Sequence, residues 1–213
     1  MKTNLNNLIL ALGIFLVAAA ALILGRIFFP VIKEEVKYSF SPQAKNLTVA
    51  SREEAERKKD EKSDTGIIVP ADEQFGIVIP KISANAKVIP EVDSQNPDIY
   101  QRALTKGVAH AKGSALPDED GNIFIFAHSG ADLLEANRYN AVFYLLSKLE
   151  VGDEVYLFYK GKKYRFQVEE KKNAGVGEVS YLEKNTPENQ LTLMTCWPPG
   201  TTLKRLIVIA KPI

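Results

Sequence analysis

The pattern of apolar and polar positions divides the 213-residue chain into three zones. Residues 8–25, LILALGIFLVAAAALILG, carry no charge, and Ile27, Phe28 and Phe29 carry the apolar run past Arg26. About 20 apolar helical residues cross a bilayer, so residues 1–29 are expected to form a single transmembrane helix. A cleaved signal peptide is the competing reading, because Ala18 to Ala21 offer small-residue cleavage sites. Against it, the run continues through Leu22, Ile23 and Leu24. Residues 30–74 turn polar, and residues 51–64, SREEAERKKDEKSD, mix both charge signs with no apolar stripe. Such a stretch is expected to be a solvated helix or a tether, a linker rather than core. The third zone, residues 75–213, holds the short apolar runs of a folded domain.

Within that zone Phe75 to Pro80 and Ala86 to Pro90 read as strands stopped by proline. Asn96-Pro97-Asp98 opens a short helix, with Asn96 as cap, Pro97 at the first helical position and Ile99, Ala103 and Leu104 facing inward. A surface loop containing His110 is expected over 110–121, then a strand over 122–127 that ends at His128. A helical turn is expected over 140–149. Residues 153–159 and 163–170 flank Lys160-Gly161-Lys162, a hairpin signal. Two last strands, 190–195 and 204–210, are joined by a loop beginning Trp197-Pro198-Pro199-Gly200. About seven or eight short strands with few helical residues point to a mainly β fold, and a closed barrel protects strand edges best at this size.

Charge and composition narrow the chemistry. A formal net charge of +1 gives no electrostatic case for nucleic acid. The single cysteine, Cys196, excludes an intrachain disulfide, and with only His110 and His128 there is no Cys/His set for zinc. No acidic loop cluster argues for calcium, so neither metal nor cofactor is expected. Lys2 precedes the apolar run, while Arg26, Lys33 and Lys37 follow it among Glu34 and Glu35. That bias leans weakly against export of the C-terminal zone, although it governs short loops more than long segments.

The period of two puts Thr192, Met194 and Cys196 on one strand face, and Asn122, Phe124, Phe126 and His128 on one face of another. If His128 and Cys196 meet, both at C-terminal strand ends, their strands run parallel. Arg205, opening its strand, then sits on an antiparallel neighbour of the cysteine strand. The three would converge on one rim. A thiol of ordinary pKa, about 8.5, is mostly protonated at neutral pH and needs an imidazole to take its proton. Arginine stays charged and suits an oxyanion. Taken singly, each has a plain structural reading: a buried small hydrophobe, a loop-end histidine, a strand-capping charge.

Read together they have a family resemblance. Leu191-Thr192-Leu193-Met194-Thr195-Cys196 followed by Arg205 resembles the TLxTC…R signature of sortases, membrane-anchored cysteine transpeptidases. Gly121 to Ser129 resembles the segment around their catalytic histidine. Leu149 to Val155, and Gly107 to His110 with Ala115-Leu116-Pro117, are similar to family segments in the same order, so the resemblance covers Phe75 to Ile213. It implies a closed eight-stranded sortase-type barrel over 75–213, with Cys196 as nucleophile, His128 as acid/base and Arg205 as oxyanion stabiliser. Thr195 and Trp197 would lie at the substrate. It further implies secreted substrates with an LPxTG-like sorting motif, a thioacyl-enzyme, an amine acceptor on the cell wall or surface, and a single-pass membrane protein whose catalytic domain is extracytoplasmic. Ala127 departs from the glycine many members carry there. The Asp-Pro-aromatic motif of the lid-bearing pilin type does not occur upstream. A thiol hydrolase on the same barrel and a catalytically silent peptide-binding barrel remain alternatives.

Overall fold

The computed structural model describes residues 7–23, 25, 36, 47–59, 66–129, 142–178, 186, 189–199 and 201–213. Two units separate, Met1–Ser39 and Phe40–Ile213. In the first, residues 7–23 form helix α1, with Leu8, Ile9, Leu12, Phe15 and Leu16 exposed. The expected membrane-spanning helix is not obtained in full: among the described residues no helix is long and apolar enough to cross a membrane. Residues 1–6, 24 and 26–29 of that expected span lie outside the described residues.

The second unit opens within the polar zone. Strand β1 (Leu47–Val49), helix α2 (Arg52–Lys59) and strand β2 (Gly66–Ile68) form a strap in which β1 and β2 pair in parallel. The helix starts on a capping box: the Glu54 N–H donates to Ser51 Oγ at 3.2 Å, and the Ser51 N–H to Glu54 Oε2 at 3.0 Å. Apolar residues at the margins of the charged run supply the burial that the run itself lacks. Val49 packs against Val78 and Phe158, with Ile68 and Tyr156 alongside. Lys163 Nζ donates to the Val49 carbonyl at 3.2 Å, and the Arg52 N–H to Glu73 Oε1 at 2.6 Å. Part of the stretch expected as linker is therefore folded.

The remaining strands are β3 (Phe75–Ile79), β4 (Ala84–Val92), β5 (Val108–Ala111), β6 (Asn122–Phe126), β7 (Glu154–Tyr159), β8 (Lys162–Ala174), β9 (Gln190–Trp197) and β10 (Lys204–Pro212). They close into the expected eight-stranded barrel, in the order β10-β8-β7-β3-β4-β5-β6-β9. Pairing is antiparallel except for β4 with β5 and β6 with β9. The β4-to-β5 crossover carries helix α3 (Pro97–Leu104), capped as the sequence implies: Asn96 Oδ1 accepts from the Asp98 and Ile99 N–H groups at 3.1 and 3.4 Å. Ala103 and Leu104 are buried, but Ile99 is 47% exposed. The covered stripe is rotated. Tyr100 rather than Ile99 turns inward, packing edge-on against Phe126 at 6.4 Å between centroids.

Between β7 and β8, Lys160 and Gly161 have φ of 51° and 74° and Tyr159 pairs with Lys162. Those angles fit a two-residue turn that needs positive φ at both positions, which glycine supplies freely and lysine at a cost. The 3-10 turn η2 (Tyr144–Lys148) falls inside the expected helical turn. Lys171 Nζ ties it down by donating to the Ser147 and Leu149 carbonyls at 2.8 and 2.6 Å.

His110 departs most from expectation. It is not in a surface loop but on β5, fully buried, in a strand whose four residues are all covered. Strand β5 is paired along both edges, with β4 and β6, and all four of its residues are buried, so neither face meets solvent. The imidazole is accommodated by hydrogen bonds rather than by water: Nδ1 accepts from the Glu91 N–H at 3.3 Å, and Nε2 lies 3.0 Å from the Ala115 carbonyl and 2.9 Å from Ser114 Oγ. Ser114 Oγ in turn donates to the Ala111 carbonyl at 2.8 Å and accepts from the Phe124 N–H at 3.2 Å. His110→Ala should strand these buried partners and lower unfolding free energy by about 2–4 kcal/mol in denaturant titrations. A loss below 0.5 kcal/mol, a change typical of surface sites, would show that the network does not hold the barrel.

Candidate active site

Strands β6, β9 and β10 are neighbours in the barrel wall, and alternation separates their two faces. One face carries Ile123, Ile125, Leu191, Leu193, Leu206, Val208 and Ala210, all buried, and lines the barrel interior. The other carries Phe124, Phe126, Thr192, Met194, Cys196, Arg205 and Ile207, with Met194, Cys196 and Arg205 only partly covered. Cys196 therefore projects from the outer surface of the barrel, at its rim.

Register then fixes its neighbours. Arg205 pairs with Cys196 across β10 and β9, and Arg205 Nη1 lies 3.5 Å from Cys196 Sγ. On the other side, Phe126 pairs with Met194 in the parallel β6–β9 ladder, and the Ala127 N–H donates to the Met194 carbonyl at 3.1 Å. Two residues beyond Phe126 and Met194 stand His128 and Cys196. Cys196 and Arg205 are thus cross-strand partners on β9 and β10, and His128 follows the end of β6, on the other side of the cysteine strand. The parallel and antiparallel pairings are those the sequence implies.

Arg205 is held from behind by the chain that connects it to the cysteine. Its Nη1 also donates to the Thr202 and Lys204 carbonyls, at 3.3 and 3.2 Å. Thr202 precedes it in a turn fixed by Thr201, whose N–H and Oγ1 donate to the Pro198 carbonyl at 3.0 and 2.8 Å. These backbone acceptors left no signal in the sequence beyond a loop rich in turn-formers. Below Cys196 and Arg205 the same outer face continues as Phe126, Met194 and Ile207, an apolar floor that the period of two does reveal. Trp197 ends β9, half-buried, opposite Lys204. Thr195 points the other way: it is 2% exposed, and its hydroxyl donates to the Ala127 carbonyl at 2.9 Å. Among the described residues no group of His, Cys, Asp or Glu side chains gathers to hold a metal.

Burial pushes the Cys196 thiol above its ordinary value, and the Arg205 charge pulls it back only in part. The resting thiol is accordingly protonated at neutral pH, and a base must share its proton before it attacks. If His128 supplies that base, alkylation of the His128→Ala variant by iodoacetamide should keep rising with pH beyond the free-thiol value of about 8.5. A plateau already reached near neutrality in that variant would show the thiolate to be stabilised by something other than His128.

Comparison with known proteins agrees with this geometry. Residues 77–213 match the family model described as the sortase domain. Sortase D of Bacillus subtilis (strain 168) is 27% identical over 214 residues, covering 94% of this chain and 96% of that protein. Among solved structures, a lid mutant of sortase A from Corynebacterium diphtheriae is similar at TM-score 0.55 and 26% identity, over 67% of this chain and 70% of that one. Sortase C1 from Streptococcus suis is similar at TM-score 0.55 and 25% identity, over 66% and 74% of the two chains. A matched domain over more than half the chain, on a closed barrel whose cysteine and arginine are cross-strand partners, leads to one conclusion: this chain belongs to the sortase family of cysteine transpeptidases.

Proposed function

We propose that this sortase cleaves an LPxTG-like sorting motif near the C-terminus of secreted proteins and transfers the acyl fragment to an amine at the cell surface. The observation that carries the reading is the pairing of Cys196 with Arg205 on the outer barrel face, with His128 following the end of β6 on the other side of the cysteine strand. In the first half-reaction Cys196 Sγ attacks the scissile carbonyl while its proton passes to His128. Collapse of the tetrahedral intermediate breaks the C–N bond, and His128 returns the proton to the departing amine. The acceptor amine then attacks the thioester, His128 takes its proton, and the thiol is regenerated. Arg205 Nη1, near Sγ, is placed to meet the oxyanion in both halves. Met194, partly exposed beside Cys196 with Phe126 and Ile207 buried around it, suits the aliphatic part of such a motif, and Trp197 with its loop is assigned to the groove wall. No metal or cofactor enters either step.

The exposed apolar surface of α1 favours a single-pass membrane anchor, and the barrel is assigned to the outside of the cytoplasm because its substrates would be secreted proteins. Leucine, isoleucine and phenylalanine side chains along such a helix need an apolar surrounding.

Intact-mass spectrometry of the full-length chain in detergent, with a pool of sorting-motif peptides and an amine, tests the reaction. A thioacyl adduct on Cys196, with ligated product that requires the amine, is the expected result. An adduct released only to water would favour the hydrolase, and no adduct with any peptide would remove support for sorting-motif cleavage.

A further inference from the structure

The β6–β9 ladder stops at Phe126 and Met194, two residues short of His128 and Cys196. Something beyond the ladder must therefore hold the histidine segment against the cysteine strand. The Ala127 N–H makes one bond, to the Met194 carbonyl at 3.1 Å. In a continuing parallel ladder the Ala127 carbonyl would next accept the Cys196 N–H. No such bond occurs among the backbone hydrogen bonds of the described residues. The Thr195 hydroxyl takes that carbonyl instead, at 2.9 Å, in a fully buried contact.

We infer that Thr195 is a positioning residue for the transpeptidation: its hydroxyl, working from inside the barrel, continues the β6–β9 register by one residue and so sets His128 opposite Cys196. Two observations carry this. Thr195 is 2% exposed and pairs with Leu206 on the inward face, so its side chain does not share the outer face on which substrate meets Cys196. Its hydroxyl donates to the peptide unit that joins Ala127 to His128, the last backbone link before the imidazole. A shift of that peptide plane moves the imidazole directly, and proton transfer falls off steeply with misplacement. The inference rests on the acid/base role assigned to His128 above.

Thr195→Val keeps the shape of the side chain and removes the donor, while Thr195→Ser keeps the donor and removes a methyl group. Full-length chains in detergent would be compared by thermal unfolding, by the pH profile of Cys196 alkylation with iodoacetamide, and by kcat and KM on a turned-over peptide with an amine. The valine variant should lose about 10-fold or more in kcat with KM within about twofold. Its alkylation profile should move towards that of His128→Ala, and the serine variant should stay close to the parent in both. A valine variant with parental profile and kcat overturns the inference. So do valine and serine variants that fail alike, since packing rather than the donor would then be at issue. The alkylation arm needs no substrate. If the parent turns over no peptide, sorting-motif cleavage fails by itself while the profiles still decide the positioning role. Coincident parent and His128→Ala profiles would instead remove the acid/base role and this inference together.

Discussion

Replacing Cys196 with alanine is expected to abolish transpeptidation, with product formation reduced at least about 10⁴-fold and no thioacyl adduct by intact mass. The size follows from the chemistry. Both half-reactions run through the same sulfur, so its loss removes the intermediate that divides one difficult amide exchange into two easier ones. Neither His128 nor Arg205 can substitute, because neither is placed to form a bond to carbon that an amine would later displace. Stability should barely change. Cys196 stands at the rim, on the outer face and only partly covered, so deleting its sulfur opens little cavity. A melting temperature within about 3 °C of the parent, on the usual scaling for a domain of this size, would separate the chemical effect from unfolding. Appreciable ligation by the alanine variant would show that another nucleophile acts.

Arg205→Lys is expected to lower kcat by about 10²–10³-fold while the thiol remains alkylatable. Charge is retained in this change; geometry is not. The guanidinium spans the Thr202 and Lys204 carbonyls and Cys196 Sγ, at 3.3, 3.2 and 3.5 Å. All three contacts are made by Nη1, and the planar fork holds its Nη2 and Nε donors in fixed directions beside it. An ammonium is a point donor on a flexible stem, and once satisfied by the two carbonyls it has no rigid arm directed at the reacting carbon. Steady-state kinetics on a sorting-motif peptide would measure the loss. A lysine variant within fivefold of the parent would mean that charge alone suffices and that the oxyanion role is misassigned.

The barrel and the pairing of the strands that carry the candidate residues were legible in the sequence, for reasons that differ by element. Strands β6, β9 and β10 are apolar runs cut cleanly by Gly, Pro and polar residues, and the period of two then assigns each side chain to a face. Parallel β6–β9 and antiparallel β9–β10 pairing followed from asking where Cys196, His128 and Arg205 could meet. His110 was misplaced because a polar residue in a short segment carries no periodic signal. Its buried state depends on the Glu91 N–H, Ser114 and Ala115, contacts that only the closed barrel brings together. Ile99 was assigned inward by counting, and a small rotation of a two-turn helix put Tyr100 there instead. The strap was hidden because residues 51–64 are polar throughout except for Ala55. Its burial comes from Val49 and Ile68 at the margins, although the Ser51-Arg52-Glu53-Glu54 capping box was readable as a helix start. Thr195 was expected at the substrate from the resemblance, although the same period of two already puts a residue next to the nucleophile on the opposite face, where the structure has it buried.

The strap has a mechanical consequence. It packs on the outer side of β3 and β7, which lie across the closed ring from β9. Any pull transmitted along the chain from its N-terminal side would reach the folded unit at β1, on the wall across from Cys196. The short β1–β2 pair and the Val49 contacts would yield first, acting as a fuse ahead of the barrel ladders. A pull from that side could then be absorbed without the thiol and guanidinium of β9 and β10 moving out of line.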